Sequence, residues 1–170
     1  MKVKLKTTIA LMALAIVYTG CDPQAEFPDE PAITLRSFTT EGNNATLVLG
    51  FTDGDGNFGL DDSTWAGSNY DCELTHNLYC EYYELQNGQW VFINLSDCPP
   101  NDTTNVPFYY RVPIAEPTGQ NKTQQGEISI DMYGYFRLSA FDTCRFEIRI
   151  VDRDLNTSNV IQTQPLLKPS

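Results

Sequence analysis

The chain has 170 residues, a formal net charge of −11 and a sequence pI of about 4.3. Nucleic-acid binding requires a basic surface, so this composition excludes a nucleic-acid-binding protein. Aromatic and β-branched residues are plentiful, which excludes a disordered chain, and the length suits one domain with a substantial core.

Residues 1–20 predict a signal peptide. Three lysines form a basic start, and the apolar run Thr7 to Val17 is shorter than the ~20 residues of a membrane-spanning helix. Tyr18-Thr19-Gly20 then leads directly into Cys21 and resembles the lipobox of bacterial lipoproteins. The resemblance implies that Cys21 is lipidated and becomes the first residue of an exported, membrane-anchored chain. The alternative is an ordinary secretory signal with a chance cysteine.

Residues 21–31 predict an acidic, proline-containing tether between lipid and domain. Within it, Gln24-Ala25-Glu26 resembles the surface-export signal of Bacteroidota-type lipoproteins. The expected location is the cell envelope, at the outer membrane, on its surface or its periplasmic face. Once the signal lysines are removed, eight basic residues oppose 22 acidic ones, a formal charge of −14. Such a charge opposes lying flat on anionic lipid.

Residues 32–170 predict a single all-β domain. Short apolar runs, several of them alternating, are separated by turn residues, and Asn87-Gly88 between two such runs predicts a hairpin with a type I′ turn. The predicted strands are Ala32 to Phe38, Ala45 to Thr52, Tyr79 to Leu85, Gln89 to Leu95, Val106 to Ile114, Glu127 to Met132, Arg145 to Val151 and Asn159 to Thr163. Seven or eight short strands favour an immunoglobulin-like antiparallel β-sandwich, with a small antiparallel barrel as the alternative.

Four cysteines follow Cys21, and an even number in an exported chain predicts disulfides. Three pairings are possible, of which we favour Cys72–Cys80 and Cys98–Cys144. A zinc site is the other interpretation, but no Cys-x2-Cys pair occurs and His76 is the only histidine.

The most informative stretch is Phe51 to Leu60, which contains Asp53, Asp55 and Asn57 at alternate positions with glycines between them. Calcium binds six to eight oxygens, and a single loop supplies several of them only through tight bends, which glycine permits. Asp61 adds a nearby carboxylate. The spacing does not fit an EF-hand. Asp, Asn and Gly are also turn formers, so a solvated acidic turn is the alternative to a calcium site.

A second acidic cluster, Asp152-Arg153-Asp154, lies in the connection between the last two predicted strands. Loops of a sandwich gather at its two ends, so Asp152 or Asp154 is a candidate to complete the calcium coordination. The alternative is a turn in which Arg153 pairs with an aspartate.

The block Phe51-Thr52-Asp53-Gly54-Asp55-Gly56 and the later block Val151-Asp152-Arg153, Leu155-Asn156 and Ser158 to Ile161 together resemble a family of uncharacterised Bacteroidota-type exported lipoproteins. The resemblance implies location and an immunoglobulin-like sandwich, and no biochemical role. Asp62-Ser63-Thr64 and Asp102-Thr103-Thr104 resemble the O-glycosylation acceptor pattern of such proteins, with Ser63 and Thr103 as acceptors.

The functional prediction is a non-catalytic binding or surface-assembly module with an unknown protein or glycan partner. Numerous tyrosines and Trp90 supply aromatic faces for such a partner. No phosphate-binding loop or Gly-x-Ser-x-Gly motif occurs. A small glycan-processing enzyme of the cell envelope is the alternative, because the spacing of two carboxylates in space is not readable from sequence.

Overall fold

The computed structural model describes residues 27–61, 76–95, 108–115 and 122–169. These residues form nine β-strands and contain no helix. The strands are β1 Ala32–Glu41, β2 Asn44–Asp53, β3 Leu78–Gln86, β4 Gln89–Phe92, β5 Tyr109–Tyr110, β6 Gln124–Tyr133, β7 Thr143–Ile150, β8 Ile161–Gln162 and β9 Leu166–Leu167.

Two antiparallel sheets pack face to face. The first has the order β1-β2-β6, and the second has the order β4-β3-β7-β8, with β5 pairing to β3 and β9 to β7. The predicted all-β antiparallel sandwich is confirmed for the described residues. No helix in this part of the chain is long and apolar enough to cross a membrane.

Alternating side chains build the core. In β7, Cys144, Phe146, Ile148 and Ile150 are buried while the residues between them are half-exposed, as a period of two in a sheet requires. Leu47 and Leu49 of β2 supply the opposing layer. Phe38 of the first sheet stacks on Phe146 of the second with ring centroids 5.6 Å apart, so the two sheets share one core.

The predicted hairpin between β3 and β4 is confirmed. Asn87 and Gly88 have φ values of 52° and 81°, and both positive values are characteristic of a type I′ turn. The turn sets the register that places Tyr83 opposite Phe92 and Leu85 opposite Trp90.

The predicted strand Val106 to Ile114 is too long at its carboxyl end, because β5 ends at Tyr110. Val106 and Pro107 lie outside the described residues. Phe108 adopts φ 70°, which departs from extended backbone, and Pro113 has no N–H to donate to a ladder, so the strand is interrupted on both sides of Tyr109–Tyr110. Val112 instead pairs with a side chain. Its N–H donates to Asn77 Oδ1 at 2.6 Å, and Asn77 Nδ2 donates to its carbonyl at 3.1 Å.

Candidate metal centre

Three aspartates meet at the end of the sandwich where β2 and β7 finish. Asp53 is the last residue of β2, Asp55 follows in the next loop, and Asp152 lies two residues beyond β7. One carboxylate oxygen from each lies within 4.8 Å of the others. Opposite ligands of a calcium ion are about 4.6–5.2 Å apart, since each lies ~2.3–2.6 Å from it. We call this cluster, with the loops that bear it, the acidic end.

Asp53 is the most unusual member, because its side chain is fully buried. Its Oδ2 accepts a hydrogen bond from the Phe58 N–H at 2.7 Å, whereas its Oδ1 is buried with no hydrogen-bond partner in the structure. Burial raises the pKa of Asp53 to about 6; the Phe58 N–H opposes this rise, and the carboxylates of Asp55 and Asp152 add to it. A buried carboxylate oxygen without a partner is costly unless a cation or proton satisfies it.

Asn57 supplies a second oxygen without a partner. Its Nδ2 donates to Asp55 Oδ2 at 2.8 Å and to Asp154 Oδ2 at 2.9 Å. Because both amide protons are used, the amide is oriented, and its buried Oδ1 has no donor. Asp154 is exposed and reaches the cluster through Asn57.

Asp152 is held from the other side by Asn156. Asn156 donates from its backbone N–H to Asp152 Oδ1 at 2.7 Å and from Nδ2 to Oδ2 at 2.8 Å. Leu155, with φ 69°, makes the reversal that brings Asn156 back to Asp152. These two bonds fix the fully buried Asp152 carboxylate and leave each oxygen a further lone pair.

Gln124 is a polar residue of the acidic end that sequence reasoning missed. It faces Asp53 in the β2–β6 register, and directly opposite residues of an antiparallel pair place their Cβ atoms ~4.5–5.5 Å apart on one face. Its Nε2 donates to the Ala115 carbonyl at 2.7 Å, while its buried Oε1 has no partner. Three of the four buried side-chain atoms without partners in the described residues therefore belong to Asp53, Asn57 and Gln124.

Gly56 shows why the loop is rich in glycine. It has φ +70°, and a Cβ at this position would lie 1.8 Å from the Lys122 carbonyl oxygen. Only glycine allows the loop to pass this close to the chain that leads into β6.

The structure brings together four of the six predicted ligands, Asp53, Asp55, Asn57 and Asp152, with Asp154 beside them. Asp61 is exposed and is not a member of the cluster. Its backbone carbonyl instead accepts a hydrogen bond from Arg111 at 2.7 Å. Arg153 donates to the Gly59 carbonyl at 3.3 Å, which differs from the alternative prediction that it pairs with an aspartate.

A second buried carboxylate, Glu84 of β3, lies near the other end of the sandwich. Lys168 Nζ contacts Glu84 Oε1 at 2.6 Å, with both side chains almost wholly buried. Ser139, Tyr82 and Gln86 also donate to this carboxylate. Desolvation alone raises the pKa of Glu84, but the hydrogen bonds from Lys168 and Ser139 outweigh it, and the pKa is lowered. No sequence spacing predicted this pair.

The outer face of the second sheet carries aromatic rings interleaved with charges. Arg149 lies over the Tyr79 ring at 4.2 Å, and Arg145 lies over the Trp90 ring at 4.6 Å. Arg145 also pairs with Glu147, and Arg149 pairs with Glu81. Since these two arginines match two glutamates, the face is neutral although the chain is strongly acidic.

Cys80 and Cys144 are free thiols, and both are buried in the core. Burial raises the pKa of each thiol. These free thiols do not support the predicted bonds Cys72–Cys80 and Cys98–Cys144. Cys72 and Cys98, the predicted partners, lie outside the described residues.

Other predicted sites also lie outside the described residues, namely Cys21, Ser63 and Thr103.

Comparison of the chain with protein-family models, with curated proteins and with solved structures found no match. The resemblance to exported lipoproteins therefore stays a prediction.

Proposed function

We propose that this chain is a lipid-anchored, non-catalytic binding module of the cell envelope, and that Ca²⁺ orders the acidic end of its sandwich. One observation carries the calcium proposal: Asp53 buries a carboxylate oxygen without a partner next to Asp55 and Asp152. Five side chains would hold the ion: Asp53, Asp55, Asp152, and the amide oxygens of Asn57 and Gln124.

The donor set favours calcium over other common metals. It consists of carboxylate and amide oxygens alone, the hard ligands that calcium and magnesium take, with no imidazole or thiolate for zinc or copper. Five protein oxygens from three chain segments suit calcium better than magnesium, which keeps several waters and demands a rigid octahedron. The ion would neutralise carboxylates that otherwise repel each other.

Calorimetric titration of the protein with CaCl₂ at pH 7.5 tests the site. We expect one ion per chain with a Kd of about 10⁻⁴–10⁻³ M, the range typical of extracellular modules. Asp53→Asn should abolish binding, whereas Asp61→Asn, which removes an exposed aspartate of the same loop, should leave it unchanged. Equal binding by all three proteins would contradict the proposed ligands.

Terbium luminescence tests Gln124 separately, because its lifetimes in H₂O and D₂O count the waters on the bound ion. If Gln124 Oε1 is a ligand, Gln124→Ala should add one water to bound terbium. An unchanged water count would remove Gln124 from the ligand set while leaving the aspartates in place.

The non-catalytic proposal is supported by the burial of the acidic end. Asp53 and Asp152 are fully buried, whereas glycoside hydrolysis needs two carboxylates that reach a sugar.

For the binding partner, the neutral outer face with Trp90, Tyr83 and Arg145 is the candidate surface, since rings beside paired charges suit a polyhydroxylated ligand. Trp90→Ala should then lower retention on immobilised cell-envelope glycan, and unchanged retention would leave a protein partner.

The anchoring proposal depends on Cys21. Cys21→Ser should move the protein from the membrane fraction to the soluble fraction. If the variant still sediments with membranes and the wild type carries no lipid mass, the anchoring proposal is wrong.

A further inference from the structure

The segment that precedes β1 is attached to one loop of the acidic end, and the start of β1 is attached to the other. The Gly54 N–H, between Asp53 and Asp55, donates to the Pro28 carbonyl at 2.9 Å. The Asn159 side chain, which follows Asp152 in the other loop, pairs with the backbone of Ile33. Ile33 N donates to Asn159 Oδ1 at 2.9 Å, and Asn159 Nδ2 donates to the Ile33 carbonyl at 3.0 Å. We call residues 27–31, which end where β1 begins at Ala32, the docking segment.

Contact between the docking segment and the Asp/Gly loop is backbone against backbone. A Cβ on Gly54 would lie 2.2 Å from the Phe27 carbonyl oxygen and 2.4 Å from that of Pro28. The Gly54 carbonyl in turn accepts a hydrogen bond from Thr123 at 3.1 Å. Because no flexible side chain lies between them, the loop cannot change its path at Gly54 without displacing the docking segment.

Resting on the calcium site proposed above, we infer that calcium binding is coupled to the docking of residues 27–31. Without the ion, the clustered carboxylates of Asp53, Asp55 and Asp152 repel, and the loop relaxes by moving Gly54 away from Pro28. With the ion, Gly54 is held where it binds the segment, and Asn159 is held where it binds Ile33 at the start of β1. Linkage requires the reverse effect, so a docked segment must raise calcium affinity by the same factor.

The coupling would control how the domain is held at its anchor. Only residues 22–26 separate Cys21 from the docking segment. A docked segment would keep the acidic end close to a lipid on Cys21. A released one would add five residues to the tether, or up to ~17 Å of reach at ~3.3 Å per residue. Calcium would thus switch the domain between a closely held state and a loosely tethered one.

Amide hydrogen exchange measured by NMR tests the coupling. The Gly54 amide donates to the docking segment, and the Ile33 amide, in β1 directly after that segment, donates to Asn159. We expect millimolar calcium to slow exchange at both at least tenfold relative to chelator. The Ile93 amide, which donates to the Tyr82 carbonyl in the second sheet, is the reference and should change less. Calorimetry on the same sample establishes how much calcium is bound.

Two variants test the reverse direction. Gly54→Ala keeps every proposed ligand but should weaken calcium binding about tenfold and release the Ile33 amide. Asn159→Ala, which removes the other attachment, should do the same and serves if Gly54→Ala does not fold. Gly42→Ala is the control. A Cβ at this position meets open space, so the variant should lose stability because of its positive φ and should leave calcium binding unchanged.

The outcomes separate the two proposals. If calcium binds but the Gly54 and Ile33 amides exchange equally with and without it, the coupling is wrong and the calcium site stands. If calorimetry detects no calcium binding by the wild type, both are overturned.

Discussion

Asp53 and Glu84 are both fully buried carboxylates, yet their surroundings differ in one respect. Glu84 has its own cation, Lys168 at 2.6 Å, and three further donors, and its pKa is lowered. Asp53 has two carboxylates for neighbours and an oxygen without a partner, and burial raises its pKa to about 6. The chain therefore places a cation beside the buried carboxylate at one end of the sandwich and carboxylates beside the one at the other end, and the calcium proposal depends on this difference.

The largest expected effect follows from removing the cation of Glu84. Lys168→Met leaves a buried carboxylate without its ion-pair partner, and breaking a buried pair in this way costs about 3–5 kcal/mol of unfolding free energy. Urea unfolding measures it, with Arg36→Met, the loss of an exposed positive charge, as control. A loss below about 1 kcal/mol would show that Glu84 does not depend on Lys168.

The matched amide substitutions should have opposite signs in the presence of chelator. Asp53→Asn removes an uncompensated buried charge and should stabilise the protein at pH 7.5 by about 1–3 kcal/mol, given a pKa about two units above normal. Glu84→Gln removes the partner of Lys168 and should destabilise it. Thermal unfolding of both variants tests the comparison, and shifts of the same sign in their unfolding temperatures would contradict it.

The pH dependence of calcium binding should follow Asp53. Without the ion, its folded pKa is about 6, while the unfolded value is about 3.9, so the folded state binds the extra proton between these values. Stability without calcium should therefore fall as pH rises from about 4 to 6. Calcium competes with that proton, so its affinity should rise about tenfold from pH 5 to pH 7. Affinity independent of pH over this range would mean that Asp53 is not a ligand.

The fold was predictable from local patterns, and the candidate site only in part. Alternation in β7 and the Asn-Gly turn act over a few residues, so both could be found in the sequence. The Asp/Gly spacing likewise predicted Asp53, Asp55 and Asn57 as ligands. Gln124 and the Glu84–Lys168 pair could not be found in this way, because sheet register and the path of the last strand bring them to their partners from distant parts of the chain. Asp61 was predicted as a ligand because it is near the other aspartates in sequence. Leu60, directly before it, forms a β-bridge with Pro113, and the chain there leads away from the cluster.

The most direct test of the central claim is the unfolding free energy of the wild-type chain at pH 7.5 in calcium and in chelator. At a calcium concentration a hundredfold above Kd, binding to the folded state alone should add about 2.7 kcal/mol, and Asp53→Asn should remove that gain while Asp61→Asn keeps it. An unfolding free energy of the wild type that is identical in chelator and in several millimolar calcium would contradict the account and make the acidic end a solvated turn.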